Sequence, residues 1–195
     1  MKQRIFLIFL TLALVLALTA CTANEQPQNP FSHDLIFTSL DEIIQAKKEV
    51  SPENDEFNLK GLDIYYIPVY AEEHCNLNGL ILNSSLIFTP YSSKDGDRRY
   101  CQFTMYRPHV AYPDGKTSLA SMIEGFNLKP WTVEGVYYEE YTNFPEEGPT
   151  RQFYWLHDGE VFRLTIFAKW MDEIQEKDPD ALKGSLFELR KVELK

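Results

Sequence analysis

Asp158-Gly159 lies between two runs of alternating apolar residues, and this pair constrains the chain more than any other short segment. A two-residue hairpin loop of type I′ needs positive φ at both central positions, which Asp-Gly tolerates well. Closing such a loop here sets Trp155 opposite Phe162 and Phe153 opposite Leu164. Those four side chains share one face, while Tyr154 meets Arg163 on the other. Cross-strand aromatic pairs of this kind contribute about 0.2–1 kcal/mol each. An antiparallel sheet is therefore expected.

The remaining pattern supports that expectation. Leu80–Leu82 and Leu86–Phe88 flank Asn83-Ser84-Ser85, which reads as a three-residue hairpin loop. Arg99–Tyr106 alternates, with Cys101, Phe103 and Met105 on the face opposite Tyr100, Gln102, Thr104 and Tyr106. Ile64–Ile67 ends at Pro68, Trp131–Tyr141 alternates, and so does Phe187–Leu194. Helical spacing places short helices near residues 40–48, 118–126 and 170–176. Ser39 and Glu42 form a capping-box pattern at the first of these. Eleven Tyr and 13 Phe favour sheet over helix bundle. The expected fold is α+β: a single domain with a curved antiparallel sheet of six to eight strands, a hairpin meander, and about three short helices.

The N-terminus has a different character. Lys2 and Arg4 precede an apolar run from Ile5 to Leu18, which is short for a membrane span of about 20 residues. The run ends in Leu18-Thr19-Ala20-Cys21. This ending resembles the lipobox of bacterial lipoproteins: an apolar residue, two small residues that let a peptidase approach the backbone, and a cysteine whose sulfur takes a diacylglycerol. The resemblance implies a signal peptide over 1–20, lipidation at Cys21 and an anchor on the extracytoplasmic side of the cell membrane. At least two acyl chains are what stable attachment requires. Residues 22–34 are polar, contain two prolines and read as a flexible tether. The domain is expected over 35–195.

Loss of residues 1–20 removes Lys2 and Arg4 and no acidic residue, so net charge moves from −10 to −12. That balance argues against nucleic acid, whose phosphates need a basic face, and against a surface that hugs anionic lipid.

A second resemblance follows from residues 37–44 (FTSLDEII), 62–68 (LDIYYIP) and 154–164 (YWLHDGEVFRL). Taken in that order behind a lipobox and a tether, they are similar to a loose group of uncharacterised lipoproteins from Gram-positive gut bacteria. The last segment also resembles a hairpin in a domain found on the outer side of some anti-sigma-type proteins. The motifs shared are structural, and the resemblance carries over no catalytic residue.

Several clusters are candidates for chemistry. Cys75 and Cys101 form an even pair in an extracytoplasmic setting and are a candidate disulfide, worth about 3 kcal/mol through loop closure. The alternative is two buried thiols acting as small hydrophobes. His74, Cys75, Cys101 and His109 lack the spacing of a zinc site. Asp95-Gly96-Asp97 lacks the further carboxylates of a calcium loop and reads as a turn. Tyr137, Tyr138 and Tyr141, beside Glu139 and Glu140, are a candidate ligand patch for a sugar or a cation. The competing account puts Tyr137 and Tyr141 in the core with Trp131 and Val133. Serine-nucleophile and phosphate-loop signatures are absent from the sequence.

The expectation is a lipid-anchored extracytoplasmic lipoprotein whose domain is a non-catalytic binding or sensing module, without cofactor or metal. Its partners would be the membrane, through Cys21, and an envelope protein or a small-molecule ligand. Two alternatives remain: an envelope enzyme whose site joins distant residues, such as His109 or His157 with a carboxylate, and a structural envelope protein.

Overall fold

The hairpin at Asp158-Gly159 forms in the expected register. The computed structural model describes residues 34–96, 99–108, 112–141 and 148–195. In it, Trp155 pairs with Phe162, Phe153 with Leu164 and Tyr154 with Arg163. Asp158 and Gly159 both take positive φ, 49° and 83°. Cys21, the signal segment and the tether lie outside the described residues, except for Asp34.

In chain order the elements are β1 (Leu35–Phe37), α1 (Leu40–Glu49), β2 (Ile64–Pro68), α2 (Val69–His74), β3 (Asn76–Leu77), β4 (Leu80–Leu82) and β5 (Leu86–Ser92). Then come β6 (Arg99–Tyr106), α3 (Gly115–Gly125), β7 (Lys129–Pro130), β8 (Val136–Tyr141), β9 (Thr150–His157), β10 (Glu160–Phe167), α4 (Ala168–Lys177) and β11 (Leu189–Glu193). Residues Asp34–Lys195 form one compact unit. No helix among the described residues is long and apolar enough to cross a membrane.

The architecture is α+β with antiparallel sheets. The main sheet has nine strands, in the order β1-β4-β5-β6-β10-β9-β8-β7, with β3 also paired to β5. Two runs of consecutive strands thus meet at the β6–β10 pair. The expected six to eight strands undercount this sheet because β1, β3 and β7 are only two or three residues long. Runs that short show no period. Two expected strands leave the main sheet altogether, since β2 and β11 pair in a separate two-stranded sheet. Among the described residues the α-helices number four rather than three. The one missed is α2, a six-residue helix that follows Pro68 directly.

Register explains the two faces of the main sheet. Ile87, Met105, Phe162, Trp155 and Val136 form one continuous cross-strand ladder. Thr89, Phe103, Leu164, Phe153 and Tyr138 form the next. All of these except Tyr138 are buried. Phe103 stacks on Phe162 at 5.6 Å, and Phe187 packs edge-on against Phe153 and Trp155. The small sheet joins this core through Tyr65, whose hydroxyl meets that of Thr89 at 2.5 Å. The opposite face carries the ladder Pro90, Gln102, Thr165, Gln152, Glu139. There, α3 packs Leu119 against Tyr154 and Val161.

Helix starts follow local chemistry. Ser39 caps α1 by accepting from the Glu42 amide, and Asp114 caps α3 by accepting from the Thr117 amide at 2.8 Å. The Glu42 carboxylate bonds the amide and hydroxyl of Thr38, one residue before the cap.

The start of α3 rests on the hairpin turn. A Cβ on Gly115 would lie 2.0 Å from the Gly159 carbonyl oxygen and 2.7 Å from Leu156, whereas a Cβ on Gly159 would meet nothing. Gly159→Ala should therefore cost only its positive φ, about 1–2 kcal/mol. Gly115→Ala must displace backbone and should cost about 1–3 kcal/mol or more. Urea unfolding of both variants tests this order: equal costs would mean that the helix start can move away from the turn freely.

Candidate functional site

A cleft of about 710 Å³ opens where the two-stranded sheet meets one end of the main sheet. Its walls come from five separate parts of the chain. These are the loop before β2 running into Tyr66 on β2, Ser84 in the β4–β5 turn, the end of β6 with Arg107, the turn and start of β10 with Asp158 and Glu160, and Lys191 on β11.

Local sequence builds each wall. Asp55 accepts from the amides of Leu59 and Lys60 at 2.6 and 2.8 Å and so closes the loop on itself. Asn58 takes φ 51° within that loop, a left-handed conformation that asparagine adopts more readily than most residues. The loop carbonyls then receive Arg107, which donates to Phe57 O, to Asn58 O at 2.8 Å and to Asn83 O at 3.4 Å. Burial lowers the pKa of Arg107 from its ordinary value, and the nearby Asp55 carboxylate opposes that shift. The guanidinium is thus engaged in joining the loop before β2 to the β4–β5 turn.

The acidic side of the cleft has more spare capacity. Tyr66 is buried and packs edge-on against Phe162 at 5.2 Å, while its hydroxyl donates to Asp158 Oδ2 at 3.0 Å. Burial, then the Asp158 carboxylate, pushes the Tyr66 pKa up to about 12. The phenol stays protonated at neutral pH and acts as a donor rather than a base. His157 lies edge-on to Tyr66 at 5.5 Å, with Nε2 at 3.9 Å from Asp158 Oδ2. Burial raises the Glu160 pKa above 4.5. Lys191 pairs in register with Tyr66 and so shares its side of the small sheet. Asp63 also lines the cleft and is bonded by Lys47 at 3.2 Å.

The residues singled out from sequence are placed elsewhere. Cys21 and His109 lie outside the described residues, as does Asp97. Cys75 and Cys101 are both buried thiols, and burial followed by the neighbouring Cys75 thiol raises the Cys101 pKa well above its ordinary value. The Cys101 thiol therefore stays protonated. The His74 ring packs on Tyr70 at 4.3 Å. No group of three or more potential metal ligands occurs among the described residues.

The three tyrosines do not converge on one face. Tyr138 is edge-on to Trp131 at 5.0 Å, beside the main core. Tyr137 packs with Tyr154 and Leu119 on the other side of the sheet. Tyr141 pairs with Thr150 at the end of β8. Trp131–Tyr141 is not one strand, because a turn at Gly135 (φ 77°) folds Val136 back onto Trp131. That turn reverses the alternation, so Tyr138, rather than Tyr137 and Tyr141, joins Trp131.

Sequence reasoning missed Tyr66, Glu160 and Lys191. The available signal was the pair Asp158 and Glu160, acidic residues two apart across a tight turn in a cleft-forming hairpin.

The chain matches no family model, no curated protein and no solved structure.

A carboxyl whose folded-state pKa is raised weakens the fold wherever it is ionised, that is, above its folded pKa. Below about 4.5, where it is protonated in both states, the penalty is gone. Glu160→Gln should therefore melt at a higher temperature than the parent at pH 7 and at the same temperature near pH 4. A melting temperature unchanged or lowered at pH 7 would show that Glu160 is not held in the cleft at the expense of stability.

Proposed function

We propose that this protein is a lipoprotein anchored through Cys21 on the extracytoplasmic side of the membrane. Its single domain is a non-catalytic binding module that takes a small polar ligand in the cleft beside the β9–β10 turn. The observation that carries the ligand reading is the Asp158 and Glu160 carboxylates at the mouth of the cleft, one of them held by a phenol. Carboxylates only accept hydrogen bonds, and the principal cation, Arg107, is already engaged by backbone carbonyls. The complementary ligand is rich in N–H or O–H donors, such as an amino sugar or a peptide amine. Cleft volumes of about 300–1,000 Å³ suit ligands of that size.

Catalysis is the less favoured reading. His157 does approach Asp158, but the phenol beside them is held protonated, which suits donation to a bound ligand more than nucleophilic attack.

Two measurements test the halves of this proposal separately. Cells fed an alkyne-bearing fatty acid should label the parent chain and leave Cys21→Ala unlabelled; label that persists in the variant rejects the anchor. Saturation-transfer NMR with glucosamine should give signals that the double variant Asp158→Asn, Glu160→Gln loses. Equal signals from parent and double variant would move the ligand out of this cleft.

A further inference from the structure

Away from that cleft, a second opening of about 520 Å³ lies where the end of α4 meets α2 and the start of β6. Four rings run along it without a break. His74 packs on Tyr70 at 4.3 Å, Tyr70 meets Trp170 at 6.0 Å, and Trp170 stacks on Tyr100 at 5.7 Å with 14° between the planes. A carboxylate lies beside each tyrosine of this row. The Tyr100 hydroxyl donates to Oε1 and Oε2 of Glu173 at 2.9 and 3.0 Å. The Asp178 carboxylate shares the cleft lining with Tyr70 and raises its pKa. Burial first, and then these carboxylates, push both tyrosine pKa values up to about 12, so both stay neutral donors.

Three independent electrostatic features favour positive charge here. Aromatic faces attract cations through the ring quadrupole. Two carboxylates flank the row. Asp178 is the C-cap of α4, so the cleft also receives the negative end of that helix. The lining holds two lysines, Lys94 and Lys177, against three carboxylates, Asp95, Glu173 and Asp178. Lys94 donates to the Cys75 carbonyl at 2.8 Å. Lys177 is 71% exposed and stands 3.7 Å from Glu173, an arrangement worth little in water.

We infer that this aromatic cleft is a second binding site, specific for an organic ammonium group, which would sit against Tyr100 and Tyr70 between Glu173 and Asp178. Charge decides the choice of class. A neutral sugar could stack on Tyr100 and donate its hydroxyls to the carboxylates, but would leave their charge and the helix end uncompensated, whereas an alkylammonium is attracted by every feature present. The inference stands apart from the β9–β10 cleft, since none of the residues named here lines both.

Calorimetric titration of the full chain with choline, and with its uncharged isostere 3,3-dimethylbutan-1-ol, tests the inference. Saturable choline binding is expected, with the isostere weaker by at least tenfold. Tyr100→Leu should weaken choline about three- to thirtyfold, the range of a cation–π contact. Glu173→Gln keeps the size of a half-buried side chain and an oxygen that can still accept from Tyr100, and so serves as the variant least able to disturb folding; it should weaken choline at least fivefold. Glu124→Gln, exposed on α3 and lining neither cleft, should leave choline affinity unchanged. Absence of saturable choline binding, equal binding of the isostere, or unchanged affinity in Glu173→Gln would each overturn the assignment, the second in favour of a neutral ligand.

Discussion

The Asp158-Gly159 turn sets more of this structure than its two residues suggest. Its positive φ angles fix the β9–β10 register, and a slip of one residue would send every side chain of one strand to the wrong face. Through the β10–β6 pairing, that register passes to the other half of the sheet. The ladder from Ile87 to Val136 depends on it. The turn also has two outward consequences. Its carbonyl at Gly159 lies so close to α3 that residue 115 must lack a side chain. Its aspartate holds the Tyr66 hydroxyl of the small sheet. One local motif thus orders the core, seats a helix and joins two sheets at the mouth of a cleft.

Sequence reading succeeded where the determinants are local. The β9–β10 pairs, the faces of β6 and the turn at Asn83 all follow from neighbours in the chain. Asn83 shows why: its side-chain oxygen accepts from the Ser85 and Leu86 amides at 2.9 Å, so the turn is made within four residues. The Trp131–Tyr141 stretch shows the opposite. Its alternation is real, but a turn at Gly135 changes the phase partway, and the pattern alone does not reveal where. The pairing of β2 with β11 is further still from local control. It joins residues separated by most of the domain, and Lys47 of α1 consolidates it by donating to the carbonyls of Leu62 and Leu194.

The same distinction explains why the candidate site was harder to read than the fold. Asp158 was visible as a turn former, and nothing in its neighbours marks it as a partner for Tyr66. The cleft gathers residues 58–66, 84, 105–108, 158–160 and 191, and their juxtaposition depends on how the small sheet docks. The cysteines differ in kind. Cys101 shares a face of β6 with Phe103 and Met105, as the alternation implies, and all three are buried, but its proximity to Cys75 comes from the turn of the chain after α2.

A single chemical device recurs across the domain and follows from its composition. Acidic residues outnumber Lys and Arg by 29 to 19, whereas tyrosines number 11. Three carboxylates accept hydrogen bonds from tyrosine hydroxyls: Asp158 from Tyr66, Glu173 from Tyr100 and Glu139 from Tyr154. An arginine would satisfy such a carboxylate and cancel its charge. A phenol orients it, excludes water from one side with its ring and leaves the negative charge in place. Burial pushes the phenol pKa upward, which keeps the donor proton where the carboxylate needs it. Two of the molecule's clefts therefore combine tyrosine-held carboxylates with unspent negative charge. In a chain short of basic side chains, the residues that complete the core also prepare its openings for ligands that bring their own donors.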